Sequence, residues 1–309
     1  MTPQPSQPLS HAGRPLLSVV VPSVNGLDDL RECLSALAAE AARVPLEVLV
    51  VDRVGPALRD EVARQHPWVR IIEAARGTTI PDLRAIAFSA AVAPVVAVIE
   101  DHVHVPPGWA TQMLTAQQRG ETVVGGAVEN AATERLVDWA AFLCEYSHLL
   151  PPLIAGPVRT ITGNNTTYRR ELLERFREAT LGGRWEDHLH AVLHAHGVQL
   201  FCRPEIVVRH KRHYTVLEYA SQRYLYARSY AAARLTGRGW HVRLVYGLAG
   251  ILLPPLLFAR IVGRVWSRPP YRPVLVRSVP FLVLFVTAWA AGEIAGAWLG
   301  PGDALSRVC

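Results

Sequence analysis

The sequence has few cysteines and no recognisable leader. Its four cysteines, Cys33, Cys144, Cys202 and Cys309, are far apart and show no CxxC spacing. This argues against a disulfide framework or a cysteine-based zinc site, so we expect reduced thiols. Residues 1–14 are rich in Pro, Ser and Gln and contain no apolar core of a signal peptide. We therefore expect a disordered lead-in over 1–14 and a first domain that stays in the cytosol.

Acidic residues are absent from a long stretch of the C-terminal third. No Asp or Glu occurs between Glu218 and Glu293, while arginines recur there among apolar runs. A surface of this kind suits anionic lipid headgroups, and the neighbouring Leu, Pro and Phe stretches favour a bilayer over nucleic acid. The arginines are Arg223, Arg228, Arg234, Arg238, Arg243, Arg260, Arg264, Arg268, Arg272 and Arg277.

Strand and helix patterns alternate through the first two thirds of the chain. Val-rich strands are predicted at 16–22 and 46–52, with apolar residues at helical spacing over 27–43 between them. The alternation predicts an α/β fold with a parallel sheet covered by helices on both faces. Further strands are predicted at 69–73, 95–100, 122–128, 161–165 and 197–208, and further helices at 81–91, 109–119, through 139–146, at 170–179 and after 185.

The chain changes character near residue 240. Two apolar segments, 242–262 and 279–299, are each about long enough to cross a bilayer core of roughly 30 Å. The first contains Pro254-Pro255, which kinks a helix. We expect an α/β domain over 15–240 and C-terminal membrane-associated helices over 241–309. Buried helices of a soluble protein are the alternative interpretation of both segments.

A simple two-span hairpin would place the arginines between the two segments outside the cell, against the tendency of short basic loops to remain in the cytosol. We therefore expect the first segment to re-enter or to lie in the interface, with its arginines near anionic headgroups. The second segment would then cross alone, with Glu293 near its far end.

The most informative stretch is the apolar run 95–99, which ends in Glu100, Asp101 and His102. Strands of open α/β folds present their functional groups at the carboxyl edge of the sheet. Two carboxylates and an imidazole at that edge suit a divalent cation or acid/base chemistry.

Together the motifs resemble those of family 2 glycosyltransferases with a GT-A fold. The resemblance covers about residues 16–234 and rests on the order of several motifs. They are SVVVPSVN at 18–25, VVD at 50–52, EDH at 100–102 before Pro-Gly-Trp, GNN at 163–165, WED at 185–187, and the run from Gly197 through Pro204 to His210.

The resemblance implies a nucleotide-sugar donor and a divalent cation, Mn²⁺ or Mg²⁺. The metal ligands would be Asp101, His102 and His210, where EDH replaces the family's DxD and Glu100 takes its first position. The second Asp that usually follows Asp52 is replaced by Arg53. The implied donor-binding residues are Pro22, Val24, Asn25, Asp52, Arg84, Glu100 and Asp101.

The resemblance also implies an inverting mechanism with a carboxylate base. Glu186 falls at the family's catalytic position and Asp187 is its neighbour; adjacent helical residues point about 100° apart, so only one of them can face the site. Asn164, Asn165 and Trp185 would line the acceptor side. The acceptor is expected to be lipid-linked or lipid-like, at the cytosolic face of the cell membrane.

Other interpretations of the same residues remain open. His102 can cap a strand end, His210 can belong to a basic surface cluster, and Glu186 with Asp187 can form a solvated helix N-terminus. Two other classes of protein also fit parts of the pattern: a nucleotidyltransferase, and a non-catalytic binding or scaffold protein that has kept the fold.

Overall fold

The computed structural model describes residues 13–308, so Cys309 and most of the expected lead-in over 1–14 lie outside the described residues. The first part of the chain alternates strands and helices, and its strands are parallel. β1 pairs with β2 and with β4, and β3 pairs with β2. These elements are β1 (Leu17–Ser23), α1 (Leu27–Ala41), β2 (Leu46–Asp52), α2 (Pro56–Gln65), β3 (Arg70–Glu73), α3 (Ile80–Ala90) and β4 (Val95–Val98).

Local sequence explains these elements. β1 is buried along its whole length, as expected for a Val-rich central strand. α3 begins where the Thr79 side chain accepts a hydrogen bond from the Asp82 backbone, with Pro81 in the first turn. The sequence did not predict α2, because only Leu58 and Val62 of this helix are buried and the apolar signal is weak.

The following part of the chain completes the sheet with antiparallel strands. The sheet order is β3-β2-β1-β4-β8-β6-β9-β5, and β7 pairs with β9 at its side. The elements are β5 (Val103–His104), α4 (Trp109–Gln118), β6 (Val123–Asn130), α5 (Leu136–Tyr146), β7 (Gly156–Val158), β8 (Thr166–Arg169), α6 (Arg170–Arg175), a 3-10 helix (Arg177–Thr180), α7 (Glu186–Ala195) and β9 (Leu200–His210).

The expectation of an entirely parallel sheet is therefore wrong beyond β4. β8 enters between β4 and β6 and runs antiparallel to both. The strand predicted at 161–165 lies later, at β8, and the residues before β8 form the turn that reaches the sheet edge. The Thr pair and Tyr168 of β8 are buried, but a four-residue strand is too short to show its direction in the sequence.

The chain folds into two compact units. One comprises the residues up to Glu129 and Pro151–His210, and contains the sheet; the other comprises Asn130–Leu150 and the residues from Lys211 onward. The predicted domain boundary near residue 240 is a different division and remains a prediction.

The second unit is helical. Besides α5 it contains α8 (Val216–Arg234), α9 (Trp240–Ala249), α10 (Leu253–Trp266), α11 (Arg272–Leu299) and α12 (Ala304–Arg307). Short 3-10 turns at Gly250–Leu252 and Pro269–Tyr271 link α9 to α10 and α10 to α11. Trp240–Trp266 and Pro269–Leu299 are long and apolar enough to cross a membrane, and most of their side chains are not buried in the protein. They are a candidate membrane hairpin.

α8 and α11 pack with their backbones in close contact. A Cβ atom at Gly292 would lie 2.2 Å from the carbonyl oxygen of Tyr224, and one at Gly296 would lie 2.3 Å from that of Arg228. Ala227 and Ala231 of α8 face the same glycines. This pairing of small residues four apart allows two helices to approach at the backbone.

We expect Gly292→Ala to destabilise the helical unit by about 1–3 kcal/mol, because the added methyl group must push α8 away from α11. Gly263→Ala in α10 is the matched control: nothing lies within 4 Å of its Cβ position. The control should stabilise the protein by about 0.5–1 kcal/mol through helix propensity. Unfolding in urea measures both, and equal effects of the two substitutions would contradict the close packing.

Candidate active site

The turn after β1 is attached to the end of β4 by the buried carboxylate of Asp101. Asp101 Oδ2 accepts hydrogen bonds from the backbone N–H groups of Val24 (2.8 Å) and Asn25 (2.9 Å), and Oδ1 accepts one from Asn25 Nδ2 (2.6 Å). Burial by itself raises the pKa of Asp101, but the hydrogen bonds with His102, Val24 and Asn25 outweigh it and hold the pKa below its ordinary value. The carboxylate is thus ionised and fully used in fixing the turn.

Glu100, His102 and His210 converge on one point at the sheet edge. Their nearest ligand atoms all lie within 4.8 Å of one another. His102 Nε2 is 2.9 Å from His210 Nε2 and 3.5 Å from Glu100 Oε2. His210 is 108 positions away in sequence, and the antiparallel pairing of β5 with β9 places it opposite Val103, next to His102.

The chemistry of this cluster fits a divalent cation. Two imidazole nitrogens and a carboxylate oxygen are ligands that Mn²⁺ accepts. Asp101 Oδ1 is 3.0 Å from Nδ1 of His102, and this contact orients the ring so that Nε2 points at the cluster. The predicted ligand Asp101 contacts the other ring nitrogen of His102, while Glu100 completes the candidate cluster; the assignment of Asp101 to the metal remains a prediction.

Arg84 connects Glu186 to this cluster. The Arg84 guanidinium contacts the Glu186 carboxylate with Nη1 and lies 3.4 Å from Glu100 Oε1 with Nη2. Arg84 is 3% exposed, so it is a buried bridge between the two carboxylates. Gly163 makes room for the bridge: a Cβ at this position would lie 2.4 Å from the Glu186 carboxyl carbon.

The side chain of Asp187 does not face the cluster of Glu100, His102 and His210. It is exposed, and its carboxylate accepts a hydrogen bond from the backbone N–H of His188. It lines a cleft of about 470 Å³ together with Arg159, His190 and His194. Burial and the charge of His194 lower the pKa of His190 to about 4, so its ring is neutral. Glu186 and Asp187 thus face different surroundings, as the 100° step between helical neighbours requires.

Asp52 ends β2 as predicted, but its carboxylate is held by the chain itself. It accepts hydrogen bonds from Ser23 Oγ (3.1 Å), the backbone of Val54 (3.0 Å) and Gly55 (3.1 Å), and Arg59 Nη1 (3.0 Å). Arg59 was not predicted from the sequence, where its only signal is its position in the first turn after Pro56. The assignment of Asp52 to the donor remains a prediction.

The predicted acceptor-side residues separate into two kinds. Asn164 Nδ2 lies 3.4 Å from Glu100 Oε2, so it belongs to the edge of the cluster. Asn165 is fully buried and structural: it accepts from Trp109 Nε1 (3.1 Å) and donates to the carbonyl groups of Ala127 and Ile206 (both 3.0 Å). Its amide therefore joins β6 to β9, and the assignment of Asn165 to the acceptor side remains a prediction.

The remaining predicted residues lie at the same edge of the sheet as the cluster. Pro22 is in β1, one position from the end of the strand, and Val24 contributes its backbone N–H to Asp101. Trp185 is the residue that precedes α7 and lines a small pocket with Arg84 and Glu186. The site therefore combines the ends of β1, β4 and β9, the middle of α3 and the start of α7.

The sequence matches a known family. Residues 18–177 match the family model of glycosyl transferase family 2, which covers more than half of the chain. The chain therefore belongs to glycosyl transferase family 2 and is a glycosyltransferase with a GT-A fold.

Solved structures give the same fold, with 223 matching chains. A mannosyltransferase from Pyrobaculum calidifontis, in complex with GDP-Man and Mn²⁺, is similar over 91% of this chain and 88% of its own, with a TM-score of 0.56 and 18% sequence identity. A search of curated proteins finds no match to the sequence.

We expect Asp101→Ala to lower the free energy of unfolding by about 3 kcal/mol, because it leaves buried N–H donors of the β1 turn without an acceptor. Asp60→Ala, at an exposed position of α2, should change it by less than about 0.5 kcal/mol. Urea unfolding measures both. Wild-type stability in Asp101→Ala combined with lost Mn²⁺ binding would instead support Asp101 as a metal ligand.

Proposed function

We propose that this glycosyltransferase transfers a sugar from a nucleotide-diphosphate donor to a hydroxyl acceptor with inversion at the anomeric carbon. The observation that carries the proposal is the convergence of Glu100, His102 and His210 beside a carboxylate, Glu186, that is held by a buried arginine. A metal cluster and a base next to each other at the carboxyl edge of the sheet are what this reaction needs.

Glu100, His102 and His210 would hold Mn²⁺ or Mg²⁺. When bound, the cation supplies positive charge to the departing diphosphate. The P. calidifontis enzyme was solved with Mn²⁺ and GDP-Man, which makes Mn²⁺ the first metal and GDP-mannose the first donor to test.

Glu186 is the proposed base. Its carboxylate accepts the proton of the acceptor hydroxyl while the hydroxyl oxygen forms a bond to the anomeric carbon, and the bond from that carbon to the diphosphate oxygen breaks. The guanidinium of Arg84 fixes the position of Glu186, since the two groups form a partly desolvated ion pair. Asp187 is turned away from this site and has no part in the step.

The acceptor is proposed to be lipid-linked or lipid-like, with the catalytic unit on the cytosolic face of a membrane. Support comes from the two candidate spans, Trp240–Trp266 and Pro269–Leu299, whose side chains are largely unburied. The stretch 219–292 is rich in arginine and contains no acidic residue, and it includes the first span and the start of the second. Because short basic loops tend to remain in the cytosol, this stretch favours the cytosolic face of the membrane.

Glu186→Gln should lower the rate of donor consumption by about two to four orders of magnitude, because the amide keeps the shape of the side chain but cannot accept the proton. The assay measures nucleotide diphosphate released with Mn²⁺, starting with GDP-mannose and extending to UDP-, TDP- and CDP-sugars, with water as the acceptor.

Asp187→Asn is the matched control and should retain the wild-type rate, while donor-induced thermal stabilisation persists in both variants. A large loss in Asp187→Asn with an active Glu186→Gln would assign the base to Asp187. A wild-type protein that consumes none of these donors and is stabilised by none of them would contradict the proposed function.

A further inference from the structure

The helical unit presents a row of exposed apolar side chains along α9 and α10, spaced three or four residues apart. Leu244, Val245 and Leu248 are exposed on α9, and the row continues through the 3-10 turn into α10. Isolated exposed apolar residues are ordinary, but a row of this kind marks a surface that meets another phase or partner. Its other members are Ile251 and Leu252 in the turn and Leu256 and Trp266 in α10.

Arginines continue this surface towards the C-terminal end of α10. Arg260, Arg264 and Arg268, here called the arginine stripe, are spaced four residues apart. Arg260 and Arg264 lie on one face of α10, and Arg268, which follows the helix, donates a hydrogen bond to the Arg264 carbonyl. Within residues 13–308, no carboxylate forms an ion pair with any of the three. Like charges at this spacing repel each other, so the stripe is complementary to an anionic surface.

An aromatic side chain marks the boundary between the apolar and the charged parts. Trp266 is half exposed, and the guanidinium of Arg272 stacks over its ring at 5.2 Å from the centroid. Tryptophan and arginine together are typical of the headgroup level of a bilayer, where an aromatic ring meets apolar and polar surroundings at once.

One side of α11 is covered by α8. α8 packs against it through Gly292 and Gly296, and three arginines of α8 contact it or the residue that follows it. Arg223 stacks on Trp289 at 3.9 Å, Arg228 donates to the carbonyl of Gly300, and Arg234 pairs with Glu293. If α11 crossed the hydrocarbon core, these charges would have to enter with it, which is costly.

We propose that the helical unit docks on the surface of an anionic bilayer through α9 and α10, with the arginine stripe at the headgroups and the apolar residues in the interface. The inference rests on the proposed membrane association and specifies its form. It differs from the expectation that 279–299 crosses the membrane alone, because α8 lies beside the C-terminal half of α11. The alternating apolar and basic side chains favour a bilayer over a nucleic acid, whose grooves offer no apolar phase.

The test is binding of the full-length protein to vesicles of phosphatidylcholine alone and of phosphatidylcholine with about a third phosphatidylglycerol, at low and high salt. The wild type should prefer the anionic vesicles and lose most of that preference at high salt. The triple variant Arg260→Gln/Arg264→Gln/Arg268→Gln should bind about 100-fold more weakly, since each arginine near an anionic surface is worth roughly a factor of five.

The matched control removes the same charge from the other unit. Arg119→Gln/Arg175→Gln/Arg177→Gln changes three exposed arginines and should bind anionic vesicles like the wild type. The triple lysine variant of the arginine stripe keeps the charge and should retain binding, which separates loss of charge from loss of folding.

Extraction of cell membranes with alkaline carbonate separates docking from spanning: a docked protein is released and a spanning protein is retained. Three results would overturn the inference: retention in the membrane, equal vesicle binding by the two glutamine triples, or binding to duplex DNA without any vesicle binding. Donor consumption is measured on the same variants without vesicles. Its absence in a wild type that does bind vesicles would contradict only the proposed function.

Discussion

The arrangement of the active site depends on one buried carboxylate. Asp101 joins the turn after β1 to the end of β4 and fixes the ring of His102, so the position of the metal cluster follows from its hydrogen bonds. The buried, ionised carboxylate of Asp101 is stable only because hydrogen-bond donors surround it. The same residue therefore serves the fold and the candidate site: it fixes the ring of His102, while Glu100 contributes its carboxylate to the candidate metal cluster.

Arg84 provides the second link, between metal cluster and base. Because its guanidinium contacts both Glu100 and Glu186, a change at one carboxylate alters the surroundings of the other. Gly163 is required at this place, since any side chain would occupy the space of the ion pair. Coupling of this kind holds Glu186 beside the candidate metal cluster, which is the preorganisation that the proposed general-base role needs.

The sequence predicted the parts of the fold that local pattern determines. Val-rich strands and amphipathic helices identified the first half, and the order of motifs identified the family. It could not show that Asp101 turns towards β1 and Glu100 towards His210, because the choice between adjacent side chains is made by tertiary hydrogen bonds. The reversal of β8 and the packing of α8 on α11 were missed for a similar reason: both depend on partners distant in the chain.

The central claim is that Glu100, His102 and His210 together hold the cation of this glycosyltransferase. The most direct measurement is the anomalous difference density of Mn²⁺ in a crystal of the protein grown with GDP and Mn²⁺. The account predicts one peak within coordination distance of His102 Nε2, His210 Nε2 and a Glu100 oxygen, and loss of that peak in His210→Ala. A peak coordinated by Asp101 or Asp52 with His210 outside its ligand set would contradict it.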